Sequence, residues 1–167
     1  NELPLPNPVL TRLVEGLVSA LQYAHTAGVV HLDIKLENVM LSSRGEVKLM
    51  DFGLARALKD ASAPSVVSGT PLYMAPEQIM GQTLDHRTDI YALGVMLYLL
   101  TTGSWPVGRE RPLYEHLYET PTDPRKHRED LPEAVAKVVM ACLAKNPDER
   151  PENAEAVGRA FQDMDTN

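Results

Sequence analysis

One short stretch of the chain reads His31-Leu32-Asp33-Ile34-Lys35-Leu36-Glu37-Asn38, and Asp51-Phe52-Gly53 follows it. This spacing puts an Asp and an Asn on one loop and a second Asp just past a pair of short strands. Three oxygen-bearing side chains brought to one spot can hold magnesium and steer a hydroxyl towards a phosphate. A lysine beside the first Asp can balance charge on a phosphoryl group. Asp and Asn are also ordinary turn residues, so a lone His-x-Asp would carry little weight.

The elements that must hold these groups can be read from periodicity. Asn7 is a candidate N-cap with Pro8 at the first helical position. Val9, Leu10, Leu13, Val14, Leu17, Val18 and Leu21 then recur at three- and four-residue spacing, which predicts an amphipathic helix ending near Gly28. Short strands are expected around Val29-Val30, at Val39–Leu41 and at Val47–Met50, the last two joined by a turn at Ser43-Arg44-Gly45-Glu46. Residues Asp60 to Ser68 read as a surface loop. Pro76 can start a short helix reaching Met80. Arg87 to Thr101 is apolar almost all round, so it predicts a long helix through the core. Gly94 inside it costs about 1 kcal/mol relative to Ala, and close backbone packing is the expected reason. Leu113–Tyr118, Pro132–Ala144 and Asn153–Met164 are further helices, with a polar loop at Pro121–Asp130.

Composition narrows the function classes. The chain has 167 residues, which fits one domain. A net charge of -7 argues against a nucleic-acid binder, which usually needs a basic face. Cys142 is the only cysteine, so no internal disulfide can form, which fits a reducing compartment and a cytoplasmic location. The longest apolar run, Ile90 to Leu100, is too short to span a bilayer. No membrane segment is therefore expected in the chain.

Taken together, the pattern His-x-Asp-x-Lys-x-x-Asn, then Asp-Phe-Gly, then Ala75-Pro76-Glu77, resembles a eukaryotic-type serine/threonine protein kinase. The wording HTAGVVHLDIKLENVML and YMAPEQ is nearest to bacterial members. The resemblance covers nearly the whole chain. It implies a fold that is mainly α with small β-hairpins, the large C-terminal lobe of a kinase, over residues 1–167 with the N-terminal lobe absent. It implies ATP and Mg2+ as ligands and a protein substrate as phosphate acceptor. Asp33 then receives or orients the proton of the attacking hydroxyl, with Lys35 beside it. Asn38 and Asp51 are the implied metal ligands. Thr70, in Gly69-Thr70-Pro71-Leu72-Tyr73, would bridge Asp33 and Lys35 and favours Ser/Thr over Tyr acceptors; the plainer alternative is a surface hydroxyl. Met40 and Met50 resemble the floor and back of the adenine pocket, with simple core packing as the alternative. His31 and Phe52 are implied packing elements without a chemical role. Glu77 and Arg150 resemble a buried structural ion pair, and Asp89 a residue holding the catalytic-loop backbone.

The chain also departs from that family. Leu32 stands where an Arg usually precedes the catalytic Asp and pairs with a phosphorylated loop residue. Counting back from Gly69, the phosphoacceptor position is Val66. Both halves of that charge clamp are apolar, which implies that it does not switch this protein. Ser62, Ser65 and Ser68 could be modified with a different readout. Leu36 replaces a Pro, which should loosen the loop slightly. No Gly-x-Gly-x-x-Gly loop and no strand lysine precede the catalytic loop. The N-terminal kinase lobe is expected outside this chain, and the isolated 167 residues are expected to transfer phosphate poorly. A pseudokinase or kinase-like scaffold is the competing expectation.

Overall fold

The computed structural model describes residues 2–57, 68–162 and 164. Helix α1 (Asn7–Thr26) buries the stripe Leu10, Val14, Leu17 and Leu21, as its periodicity predicts. Its N-cap is Pro6 rather than Asn7, and no side chain caps it. The side-chain oxygen of Asn7 is instead taken by Arg128 Nη2 at 2.6 Å, which removes it from the capping role.

Two small antiparallel sheets follow, each two-stranded among the described residues. β1 (Val29–Val30) pairs with β4 (Arg56–Ala57), and β2 (Val39–Leu41) pairs with β3 (Val47–Leu49). The β2–β3 turn is closed by Ser42, whose Oγ accepts from the backbone N–H of Arg44 at 3.2 Å and of Glu46 at 3.1 Å. Gly45 takes φ 79° there, a left-handed value that suits glycine. The β3 ladder stops at Leu49, but Met50 N–H still donates to Asn38 O at 2.7 Å. The expected surface loop up to Ser68 lies outside the described residues except for Ser68 itself, which is exposed.

Helix α2 (Pro76–Ile79) is short, and α3 (His86–Thr102) runs through the centre. α3 starts one residue earlier than its apolar run suggests because Asp85 caps it, accepting from Arg87 N–H at 2.8 Å. Every residue from Thr88 to Thr102 is buried. Helices α4 (Pro112–Tyr118), α5 (Glu133–Cys142) and α6 (Ala154–Arg159) complete the body. A Cβ on Gly94 would stand 2.5 Å from the Cβ of Cys142, so the glycine permits the close approach of α3 and α5. The polar segment before α5 contains a 3-10 turn at Pro124–Lys126. α6 is shorter than expected: it ends at Arg159, and the chain tightens into a turn in which Phe161 N–H bonds to Gly158 O at 3.0 Å. Phe161 and Met164 are buried all the same.

The core joins α1, α3, α5 and the last turn through residues such as Leu17, Leu93, Val139, Val157 and Phe161. Burying each such side chain contributes roughly 1.5–3 kcal/mol. No helix among the described residues is long and apolar enough to cross a membrane.

Candidate active site

Asp33 follows β1 on a loop whose backbone is held from below by Asp89, one turn into α3. Asp89 Oδ2 accepts from His31 N–H and Oδ1 from Leu32 N–H, each at 2.8 Å. His25 at the end of α1 adds a third bond from Nε2 to Asp89 Oδ2 at 2.8 Å. These contacts hold Leu32 at φ 67°, a left-handed conformation that costs a bulky residue about 1–2 kcal/mol. The Leu32 side chain is buried with Val30 and Leu84 in a small apolar cluster of its own. Its proposed counterpart Val66 lies outside the described residues, as do Ser62 and Ser65.

His31 is spent on structure. Its Nε2 donates to Met50 O at 2.9 Å, and its Nδ1 accepts from Asp33 N–H at 3.1 Å. Its ring also packs on Phe52 at 4.5 Å between centroids. With both nitrogens engaged it has no atom left to act as a base, which agrees with a packing role.

Asp33, Lys35 and Thr70 meet directly. Thr70 Oγ1 donates to Asp33 Oδ1 at 2.9 Å and accepts from Lys35 Nζ at 3.0 Å. Lys35 Nζ stands 3.3 Å from Asp33 Oδ2. Thr70 is therefore no idle surface hydroxyl. It joins a loop at residue 33 to a segment 37 positions later in the chain.

Asn38 sits in a 3-10 turn, Leu36–Asn38, and its Nδ2 donates to Asp33 O at 2.8 Å. That bond commits the amide nitrogen and leaves the oxygen as the atom able to bind a cation. Asp51 reaches the same region because Met50 is tied on both sides, to Asn38 and to His31. Asp51 has φ 56°, again left-handed, and its Oδ1 accepts from Gly53 N–H at 3.2 Å. No group of three His, Cys, Asp or Glu among the described residues could hold a metal alone. An amide oxygen and one carboxylate make a sparse donor set. Such a set fits Mg2+ whose other positions are filled by phosphate and water.

Met40 and Met50 are 53% and 43% exposed, so neither is a core residue of this chain. They present apolar surface beside the polar cluster. Leu36 lacks the ring that a Pro would bring but has an N–H, which donates to Tyr73 Oη at 3.4 Å. The substitution thus offers a tie where looser backbone was expected.

The Glu77–Arg150 pair is buried and doubly bonded, with Arg150 Nη1 to Glu77 Oε1 at 2.6 Å and Nη2 to Oε2 at 2.9 Å. Thr88 Oγ1 adds a bond to Glu77 Oε1 at 2.9 Å. Arg150 also donates to the carbonyls of Arg87, Ala144 and Lys145. Sequence reasoning missed two supports. Gln78 donates to Leu32 O at 3.2 Å and accepts from Ala75 N–H at 3.0 Å, coupling the catalytic loop to α2. His25 bonds Asp89. Both sit inside the quoted wording HTAGVVH and YMAPEQ, but their roles depend on distant partners.

A model of the protein kinase domain matches residues 1–162. Among curated proteins, the chain is 40% identical to serine/threonine-protein kinase pkn3 of Myxococcus xanthus, over 98% of this chain and 33% of that protein. It is 39% identical to serine/threonine-protein kinase PknB of Mycolicibacterium smegmatis, over 85% of this chain and 24% of that protein. The chain thus spans about a quarter to a third of the length of these relatives. By sequence, the chain belongs to the protein kinase domain family.

Proposed function

We propose that this chain is the C-terminal lobe of a serine/threonine protein kinase, transferring the γ-phosphate of ATP to protein Ser and Thr hydroxyls. The observation that carries the reading is the closed cluster of Asp33, Thr70 and Lys35, with contacts of 2.9, 3.0 and 3.3 Å. In this reading Asp33 accepts or orients the proton of the acceptor hydroxyl. Lys35 balances charge that develops on the transferred phosphoryl group. Thr70 keeps Asp33 and Lys35 in fixed relation as the acceptor segment docks. Asn38 Oδ1 and the Asp51 carboxylate are the atoms that would hold Mg2+. Bound Mg2+ neutralises phosphate charge and aligns the transfer. Met40 and Met50 supply apolar surface for the adenine.

The N-terminal lobe, which covers the phosphates in this family, belongs in this reading to sequence outside the 167 residues. A cytoplasmic location goes with the reading, since ATP and a reduced, buried Cys142 are both at home there. Asp33, Lys35, Asn38, Asp51 and Thr70, the transfer groups that the family places in this lobe, are all present, so we rank the enzyme above the scaffold.

The test is transfer from labelled ATP to a peptide mixture carrying Ser, Thr and Tyr, using the intact protein and Mg2+. Label is expected on Ser or Thr, and chelation should remove it. Asp33→Asn should lower the rate by about 10²–10⁴. Label on Tyr alone, or an unchanged rate in Asp33→Asn, would overturn the proposal.

A further inference from the structure

Three segments far apart in the chain meet at His116 on α4, a residue with no exposed surface. Its Nε2 bonds to Leu72 O at 3.1 Å, and its Nδ1 to Tyr91 Oη at 2.7 Å. A carbonyl can only accept, so Nε2 carries the proton and Nδ1 accepts from the Tyr91 hydroxyl. Burial pushes the His116 imidazole down to about 4, so this neutral form persists at neutral pH.

Tyr91 is itself immobilised. It is fully buried in α3, and its ring lies under the Arg150 guanidinium at 4.9 Å. Arg150 is fixed in turn by Glu77. The Leu72 carbonyl is therefore tied, through two side chains, to the buried ion pair of the body. Next to His116, the carbonyl of Glu115 accepts from Lys145 Nζ at 3.3 Å, which anchors α4 a second time.

Leu72 lies in the 3-10 turn Pro71–Tyr73, directly after Thr70. At one end of this segment Thr70 bridges Asp33 and Lys35. At the other, Tyr73 Oη accepts from Leu36 N–H beside Lys35. His116 holds the middle from the opposite side.

We infer that His116 is a positioning residue for the protein acceptor: it sets where the Thr70–Tyr73 segment stands relative to Asp33. The inference rests on the kinase reading above. His116 has no hydrogen bond to Asp33, Lys35, Asn38 or Asp51. Its effect should therefore fall on acceptor binding and leave ATP binding alone. A histidine that served only stability would instead lower the amount of folded enzyme, which reduces the apparent kcat and leaves both KM values unchanged.

The experiment compares His116→Phe, His116→Gln and Tyr91→Phe with wild type in the intact protein, measuring KM for a peptide acceptor and for ATP. Phe keeps ring volume and loses both polar atoms. Gln retains a donor for Leu72 O. His116→Phe should raise acceptor KM about tenfold, the scale of one lost buried hydrogen bond, while ATP KM stays within about twofold. His116→Gln should recover most of the loss, and Tyr91→Phe should fall between. Should His116→Phe not fold, the rise in acceptor KM without a rise in ATP KM is read from Tyr91→Phe. Acceptor and ATP KM rising together, or neither moving while wild type labels the acceptor, would overturn this inference alone. Absence of any acceptor labelling by wild type would overturn the kinase reading and this inference with it.

Discussion

Every residue of α3 from Thr88 to Thr102 is buried, whereas Met40, Leu41, Met50, Phe52 and Leu54, around the β2–β3 hairpin and the turn after it, remain exposed. The helical body buries its central side chains and leaves peripheral ones such as Tyr23, Tyr114 and Tyr118 exposed. Its apolar faces meet, and its buried charges at Glu77 and Arg150 satisfy one another. The cleft face does the reverse, setting large apolar side chains beside the polar atoms of Asp33, Asn38 and Asp51. In the proposed reading stability resides in one region and chemistry in the other, with Asp89 and Gln78 bonded to the loop between them.

The contrast is broken most severely by striking the body. Glu77→Ala strands a buried guanidinium, and thermal or denaturant unfolding should show a loss of roughly 3–5 kcal/mol. Asp33→Asn, on the cleft face, should leave unfolding within about 0.5 kcal/mol while lowering the transfer rate by about 10²–10⁴. Equal losses in the two variants would erase the division.

A pH titration comes next in size. The His116 imidazole falls from 6.5 to about 4 on folding, chiefly through burial, with Lys145 pushing the same way and hydrogen bonds to the Leu72 and Pro71 backbone opposing. Between those values only the unfolded chain takes up the proton. The contribution is complete above pH 6.5 and is lost as the pH drops towards 4, on the order of 3 kcal/mol in total. His116→Gln should flatten that part of the stability profile, and urea unfolding at several pH values would measure it.

A smaller effect is expected at the α3–α5 contact. Gly94→Ala places a methyl 2.5 Å from Cys142 Cβ, and the repacking should cost about 1–3 kcal/mol in a thermal melt. Smallest in stability are Met40→Ser and Met50→Ser. Each should shift unfolding by no more than about 0.5 kcal/mol, yet weaken ATP binding in a direct titration with the intact protein. A large loss of stability there would make the hairpin part of the core.

Legibility followed how local the cause was. Helix α3 was readable because its apolar character runs all round, and Gly94 was readable as a packing glycine for the same reason. The meeting of Asp33 and Lys35 was readable because they stand at short spacing on one loop. β4 was not expected, since Arg56 and Ala57 carry no periodic pattern and pair only because β1 lies alongside. Asn7 was misjudged as a cap because its oxygen is claimed by Arg128, 121 positions away. His116 gave no signal at all: its partners are 44 and 25 positions distant, and its role exists only once α3 and α4 are packed.

The most direct test sets the isolated 167-residue chain beside the intact protein in one phosphotransfer assay, each with its Asp33→Asn control. The account predicts that the isolated chain unfolds cooperatively yet labels the acceptor at least ~100-fold more slowly, since the proposed reading assigns the cover for the phosphates to other sequence. Labelling by the isolated chain at the rate of the intact protein, lost in Asp33→Asn, would contradict it.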